Sequence, residues 1–326
     1  MRPFLYESSS SVQEAIARSG TGSAFIAGGT TILDLMKLEV MNPSRLMDVN
    51  RLPHMRGIEM REDGLRIGAL EKMSDVAAHP EVVSNYPVIS EALLKSASAQ
   101  IRNMATIGGN LLQRTRCGYF RDVATPCNKR EPGSGCSAID GENRMHAILG
   151  TSSSCIATHP SDLAVALVAL DASVRLQNEV GERLIMLDDF YLAPGTTPDR
   201  ENQLRPGELI TEVRIPRLPW ARKSSYLKIR DRESYEFALT SAAVALDLDG
   251  DTIRDVRIAV GGVGTKPWNL PAVREALVGK SLKHETVAAA AKLAVDGATP
   301  FPQNGFKVDL IQRTIVRALV NLGDLA

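Results

Sequence analysis

The sequence has no surplus of either charge: 38 basic side chains stand against 38 acidic ones in 326 residues. A protein that tracks nucleic-acid phosphates needs a basic excess, so no nucleic-acid partner is expected. No apolar run approaches the roughly 20 residues needed to span a bilayer. The richest one, Ala164 to Leu170, is stopped by Asp171, and no membrane insertion is expected. The opening residues, MRPFLYESSS, lack both the apolar core of a secretory leader and a twin-arginine pair. By its own sequence the chain reads as cytoplasmic. Cysteine is scarce, at four residues, and a secreted disulfide protein of this length would scatter its cysteines to close large loops. Instead Cys117, Cys127, Cys136 and Cys155 fall in one segment, which points to one shared ligand. What is present is an ordinary globular balance, 44% hydrophobic and 23% charged. The length predicts two domains rather than a single core.

The patterning divides the chain in the same way. Strand-like runs at 24–27, 46–49 and 65–70 alternate with helical ones that begin near Ser11 and Ser74 and cover 88–99, which predicts an α/β region. From 113 to 158 periodicity vanishes and Cys, Arg, Pro, Gly and Ser dominate; a loop this long inside a compact domain needs something to order it. Helix returns at 162–170, and strands follow at 173–176 and 212–215. A boundary is expected near Trp220. Beyond it, strands at 225–229, 237–246 and 256–260 precede helices at 285–295 and 307–322, an α+β order. The expected domains are therefore 1–220, carrying an insertion at about 113–158, and 221–326.

Five motifs could carry chemistry. Ala27-Gly28-Gly29-Thr30-Thr31 ends a strand and opens a helix. Paired glycines would let backbone N–H groups approach a diphosphate, with hydroxyls and a helix N-terminus adding to the site. A ligand-free tight turn has the same pattern, and no G-x-G-x-x-G or P-loop is present. The segment from Arg102 to Asn110 repeats the logic around Thr106, Gly108, Gly109 and Asn110. Ser161 and Asp162, after His159-Pro160, are either a helix cap or ligands for a sugar-like hydroxyl chain. The cysteines read C-x9-C-x8-C-x18-C, without the C-x-x-C pairs of zinc fingers. Four thiolates suit zinc or a cubane iron–sulfur cluster. Nearby Arg114, Arg116, Arg121, Lys129, Arg130 and Arg144 are expected to lower the thiol pKa values. Lys228, between Leu227 and Ile229, reads on composition as a charge on a solvated face.

In this order the motifs resemble the FAD-binding (medium) subunit of the molybdenum hydroxylases, the xanthine dehydrogenase and aldehyde oxidoreductase family. Gly108 to Cys117 and Pro126 to Arg130 are most similar to the subclass with a cysteine-bearing insertion. That subclass includes the flavin subunit of bacterial periplasmic aldehyde oxidoreductase. The resemblance implies a vanillyl-alcohol-oxidase-type FAD-binding domain of two α/β sub-domains, followed by a CO dehydrogenase flavoprotein-like α+β domain. It implies FAD held by Ala27, Gly28, Gly29, Thr30 and Thr31 at the pyrophosphate and by Thr106, Gly109 and Asn110 in the second loop. Asp162, with Ser161 beside it, would contact the ribityl or adenosine side. Leu209 or Ile210 would pack on the isoalloxazine, and Lys228 would approach from the second domain. Cys117, Cys127, Cys136 and Cys155 would ligate one [4Fe–4S] cluster. No catalytic residue is assigned, because substrate would be oxidised on another polypeptide. The partners implied are a molybdenum-cofactor subunit and a [2Fe–2S] subunit, and co-export with a signal-bearing partner would carry the chain to the periplasm. A structural zinc staple in the insertion and a free-standing flavin oxidase are the alternatives.

Overall fold

Three sheets carry the chain in a computed structural model that describes residues 1–323. Residues 324–326, counted in the expected second domain, lie outside the described residues. The first sheet is parallel: β1 (Leu5–Ser8), β2 (Ser23–Ile26) and β3 (Arg45–Asp48), in the order β1-β3-β2. Ser11 opens the crossover helix Val12–Ala17 by accepting a bond from Glu14 N at 3.1 Å. The second sheet is antiparallel: β4 (Ile58–Arg61), β5 (Gly64–Gly68), β6 (Ser173–Gln177), β7 (Glu182–Met186) and β8 (Leu209–Pro216), in the order β4-β5-β8-β6-β7. The third contains β9 (Ser224–Ile229), β10 (Thr240–Asp249), β11 (Thr252–Gly261) and β12 (Trp268–Asn269), in the order β12-β11-β10-β9.

Two cores follow from these sheets. In the first, Leu65, Ile67, Val174 and Val213 meet the helix Asp162–Ala169, every residue of which is buried. The apolar run at 164–170 is thus an interior helix, apolar on all sides because it is covered on all sides. Among the described residues no helix is long and apolar enough to cross a membrane. In the second core, Val244, Ile258 and Val260 pack on Ile311, Ile315 and Leu319 of the helix Phe306–Leu322. Ile148 and Leu149, from the end of the insertion, are buried in that same core. Their N–H groups donate to Val263 O at 2.8 and 2.9 Å. The insertion is therefore fastened to the C-terminal domain by a backbone clamp.

Three expected elements change. The helix expected at 88–99 ends at Leu94, and Ala97 takes a left-handed φ of 48°. Ser96 Oγ bonds Ala92 O and Asp162, and Ser98 caps a separate helix, Ala99–Met104. Ser74 does not cap the next helix; Lys72 holds that position. The strand expected from Phe237 begins only at Thr240, because Phe237 instead lies against the Arg116 guanidinium, 5.3 Å from ring centroid to Cζ.

Candidate functional site

The two glycine loops touch each other. A Cβ on Gly28 would stand 2.1 Å from the Met104 carbonyl oxygen, on the chain that enters the second loop. Lys72 Nζ donates to that carbonyl at 2.9 Å, and Asn50 Nδ2 ties Ala27 O from the other side at 3.0 Å. The missing side chain of Gly28 thus serves loop-to-loop contact, where the sequence suggested room for a ligand. Gly29 makes the turn with φ 73°, a region open to glycine at little cost. Thr30 is half-buried, and Thr31 opens the helix Ile32–Lys37 without a side-chain cap bond.

In the second loop Thr106 caps the helix Ile107–Leu111 by accepting from Gly109 N at 3.2 Å. Asn110 is buried, and its Oδ1 accepts from Ser161 Oγ at 2.5 Å. Gly109 alone of these residues is exposed. Strand β8 supports this loop: Ala69 N donates to Thr211 O and Gly108 N to Ala69 O. Leu209 and Ile210, two and one residues before Thr211, are buried in the first core. They are absent from the lining of the large chamber described next.

That chamber, about 660 Å³, is lined by Arg116, His159, Ser161, Asp162, Tyr226 and Gly261 among others, a volume typical of cofactor sites. Asp162 is its polar hub. Its Oδ1 accepts from Tyr226 OH at 2.7 Å, and its Oδ2 from Ser96 Oγ at 3.0 Å and Lys228 Nζ at 2.8 Å. Lys228 also donates to Lys95 O at 3.1 Å, and its side chain is 1% exposed. The solvated-face reading of Lys228 is therefore corrected. Tyr226 and Lys228 are two apart on β9, so both point to one face, and that face is the domain junction. Burial and the Asp162 charge raise the Tyr226 pKa. Tyr226 and Ser96 escaped the sequence reading; the alternation Tyr226-x-Lys228 was the available signal.

His159 stacks edge-on to Tyr191, with centroids 4.5 Å apart. Its Nδ1 accepts from Ser161 N at 3.3 Å, while Nε2 is buried without a partner. Burial pushes its pKa down to about 3, from an ordinary value near 6.5. The unfolded chain therefore takes up this proton first as pH falls. Stability is lost from pH about 6.5 towards about 3, with a slope of about 1.4 kcal/mol per pH unit for one proton. We expect His159→Gln to flatten the acid limb of urea-unfolding free energies over that window; equal slopes in parent and variant would exclude His159 as the source.

The insertion brings the four cysteines together. Cys117, Cys127, Cys136 and Cys155 line one small chamber with Phe120 and Ala138. Cys127 and Cys136 face each other across an antiparallel bridge, and all four thiols are free. Among the described residues no three His, Cys, Asp or Glu side chains converge on a single-ion site. Asn128 Oδ1 accepts from Gly133 N and Gly135 N, and Arg130 donates to Tyr119 O and Phe120 O. The expectation of lowered thiol pKa values is corrected. Burial pushes Cys117 up to about 11, and it also raises Cys155. The cations have other partners: Arg114 and Lys129 pair with Glu201, Arg116 and Arg121 with Asp34, and Arg144 with Asp231.

The sequence profile described as "FAD binding domain in molybdopterin dehydrogenase" matches residues 2–218. The one described as "CO dehydrogenase flavoprotein C-terminal domain" matches residues 225–322. The chain belongs to the FAD-binding medium subunits of the molybdenum hydroxylase family. It is 48% identical over 324 residues to the aldehyde oxidoreductase FAD-binding subunit PaoB of Escherichia coli (strain K12), covering 98% of each chain. It is 28% identical to the glyceraldehyde dehydrogenase medium chain of Sulfolobus acidocaldarius, covering 87% of this chain and 84% of that one. The carbon monoxide dehydrogenase structure from Hydrogenophaga pseudoflava, lacking the Mo-pyranopterin moiety, superimposes with a TM-score of 0.77 at 26% identity. That superposition covers 99% of this chain and 98% of the other.

As a flavin subunit of an oxidoreductase, the chain has a site that fits FAD. Two abutting loops open two helix N-termini side by side, with Gly109 exposed and Thr31 free of cap duty. Such N-termini favour a diphosphate. The chamber walled by Asp162 and Tyr226 has room for a ring system, and no residue of 27–31 or 106–110 lines it.

Proposed function

We propose that this subunit carries a [4Fe–4S] cluster beside its FAD and passes electrons from molybdenum and [2Fe–2S] subunits to an external acceptor in an aldehyde-oxidising complex. The observation that carries the reading is Cys117, which lines both the thiol chamber and the large chamber. A cluster held there would stand one side chain from the cofactor site. FAD exchanges electrons singly or in pairs, and the chain contributes position and field. Four free thiols lining one small space supply the donor set that a cubane cluster takes. The Cys117 and Cys155 thiols, held protonated by burial, must lose their protons on binding, which ties loading to folding of the insertion. PaoB is named as a subunit of an aldehyde oxidoreductase, and an aldehyde substrate bound on a partner follows from that likeness. Export with a signal-bearing partner would bring the chain to the periplasm.

Anaerobic purification with metal and flavin analysis tests the reading. About four irons per FAD are expected beyond those of the [2Fe–2S] partner. Cys136→Ser should lose that iron and leave the insertion open to proteolysis. Zinc in place of that iron would make the segment a staple. Aldehyde turnover by this chain alone would replace the electron-transfer role with that of a flavin oxidase.

A further inference from the structure

His146 is the one side chain among the described residues that bonds any of the four sulfurs: its Nε2 lies 3.2 Å from Cys117 Sγ. Its ring lines the large chamber, and Cys117 lines both chambers, so the contact sits in the wall between them. We infer that His146 is a positioning residue for electron transfer, donating an N–H···S hydrogen bond to Cys117 and raising the reduction potential of the cluster bound there. The inference rests on the cluster reading above and extends it to a particular donor.

A ligating thiolate can only accept, so the proton of this contact must stand on Nε2. Nδ1 is buried and has no partner, so nothing else among the described side chains competes to set the ring's orientation. The backbone is clamped instead. His146 N donates to Asn143 O at 2.9 Å, and His146 O accepts from Lys307 Nζ at 3.0 Å and Asn304 Nδ2 at 3.3 Å. Asn304 and Lys307 are both 0% exposed and belong to the C-terminal domain. Lys307 also reaches Gly262 O at 2.6 Å. The C-terminal domain thus fixes His146, and His146 fixes Cys117. Hydrogen bonds to ligand sulfur stabilise the more negative, reduced cluster and raise its potential.

The test uses the purified complex. Iron in excess of the [2Fe–2S] partner's is measured first, because a parent without that excess overturns the cluster reading and this inference with it. With iron present, pulsed EPR of the reduced parent, grown with ¹⁵N-histidine and exchanged into D₂O, should show a histidine nitrogen and an exchangeable proton coupled to the cluster. An EPR-monitored titration of His146→Phe should place the cluster potential below the parent's with the FAD potential unmoved. His146→Gln, which keeps an N–H donor, should recover part of the shift. Absence of the histidine coupling in the iron-loaded parent overturns the inference whether or not the variants fold. An unchanged potential in iron-loaded His146→Phe overturns it as well.

Discussion

Replacing Lys228 with methionine lowers the stability of this subunit by about 3–5 kcal/mol, the usual effect of removing one partner from a buried ion pair. The Asp162 carboxylate stays behind, 8% exposed, with its ammonium partner gone. Tyr226 OH, Ser96 Oγ and the N-terminus of the helix Asp162–Ala169 still face it, which favours the lower end of that range. The double variant Lys228→Met, Asp162→Asn removes the stranded charge and should recover most of the loss. Urea unfolding of parent, singles and double gives the coupling directly. A Lys228→Met protein within about 0.5 kcal/mol of the parent, the range of neutral surface changes, would show that the pair holds nothing. Because Lys228 comes from β9 and Asp162 from the first domain, the loss should also loosen the chamber and lower FAD retention.

Gly28→Ala should purify with less than about a tenth of the parent's FAD, a tenfold loss being about 1.4 kcal/mol of binding. Its new Cβ would meet the Met104 carbonyl oxygen at 2.1 Å, with the carbonyl carbon at 2.8 Å. Both neighbours are backbone, so a rotamer change cannot relieve the overlap, and one loop must retreat from the other. The Lys72 bond to the same oxygen resists that retreat. Gly20→Ala is the matched control, since its Cβ would meet nothing within 4 Å. The ratio of flavin to protein absorbance reads both variants. Full FAD in Gly28→Ala would show that the loops need not touch to hold the cofactor.

Both predictions rest on contacts that separate what was legible in the sequence from what was not. Turn chemistry is local, so the glycine loops at 27–31 and 106–110, each opening a helix, could be read from neighbouring residues, as could the Ser11 and Ser161 caps. Clustered thiols in a stretch without periodicity already pointed to one shared ligand as an expectation. The domain order followed from strand and helix periods, and the family resemblance from the motifs taken together. Side-chain fate was not legible. Thr106 and Asn110 looked free to face a ligand, but Thr106 Oγ1 accepts from Gly109 N and Asn110 Oδ1 from Ser161 Oγ. Lys228 looked solvated and is buried. The arginines of the insertion looked aimed at sulfur and are paired with acids from elsewhere in the chain.

Composition and local pattern by themselves determined the class of protein, the two loops and the presence of a four-thiol segment, because each depends on residues within a turn or two of one another. Only tertiary structure decided which groups lost their water and to whom they were then bound: Gly28 against Met104, Lys228 against Asp162, His146 against Cys117. The free energy of a charge or a thiol is set by burial and by partners that sheet register and domain docking bring from distant parts of the chain, and neither is written in its immediate neighbours.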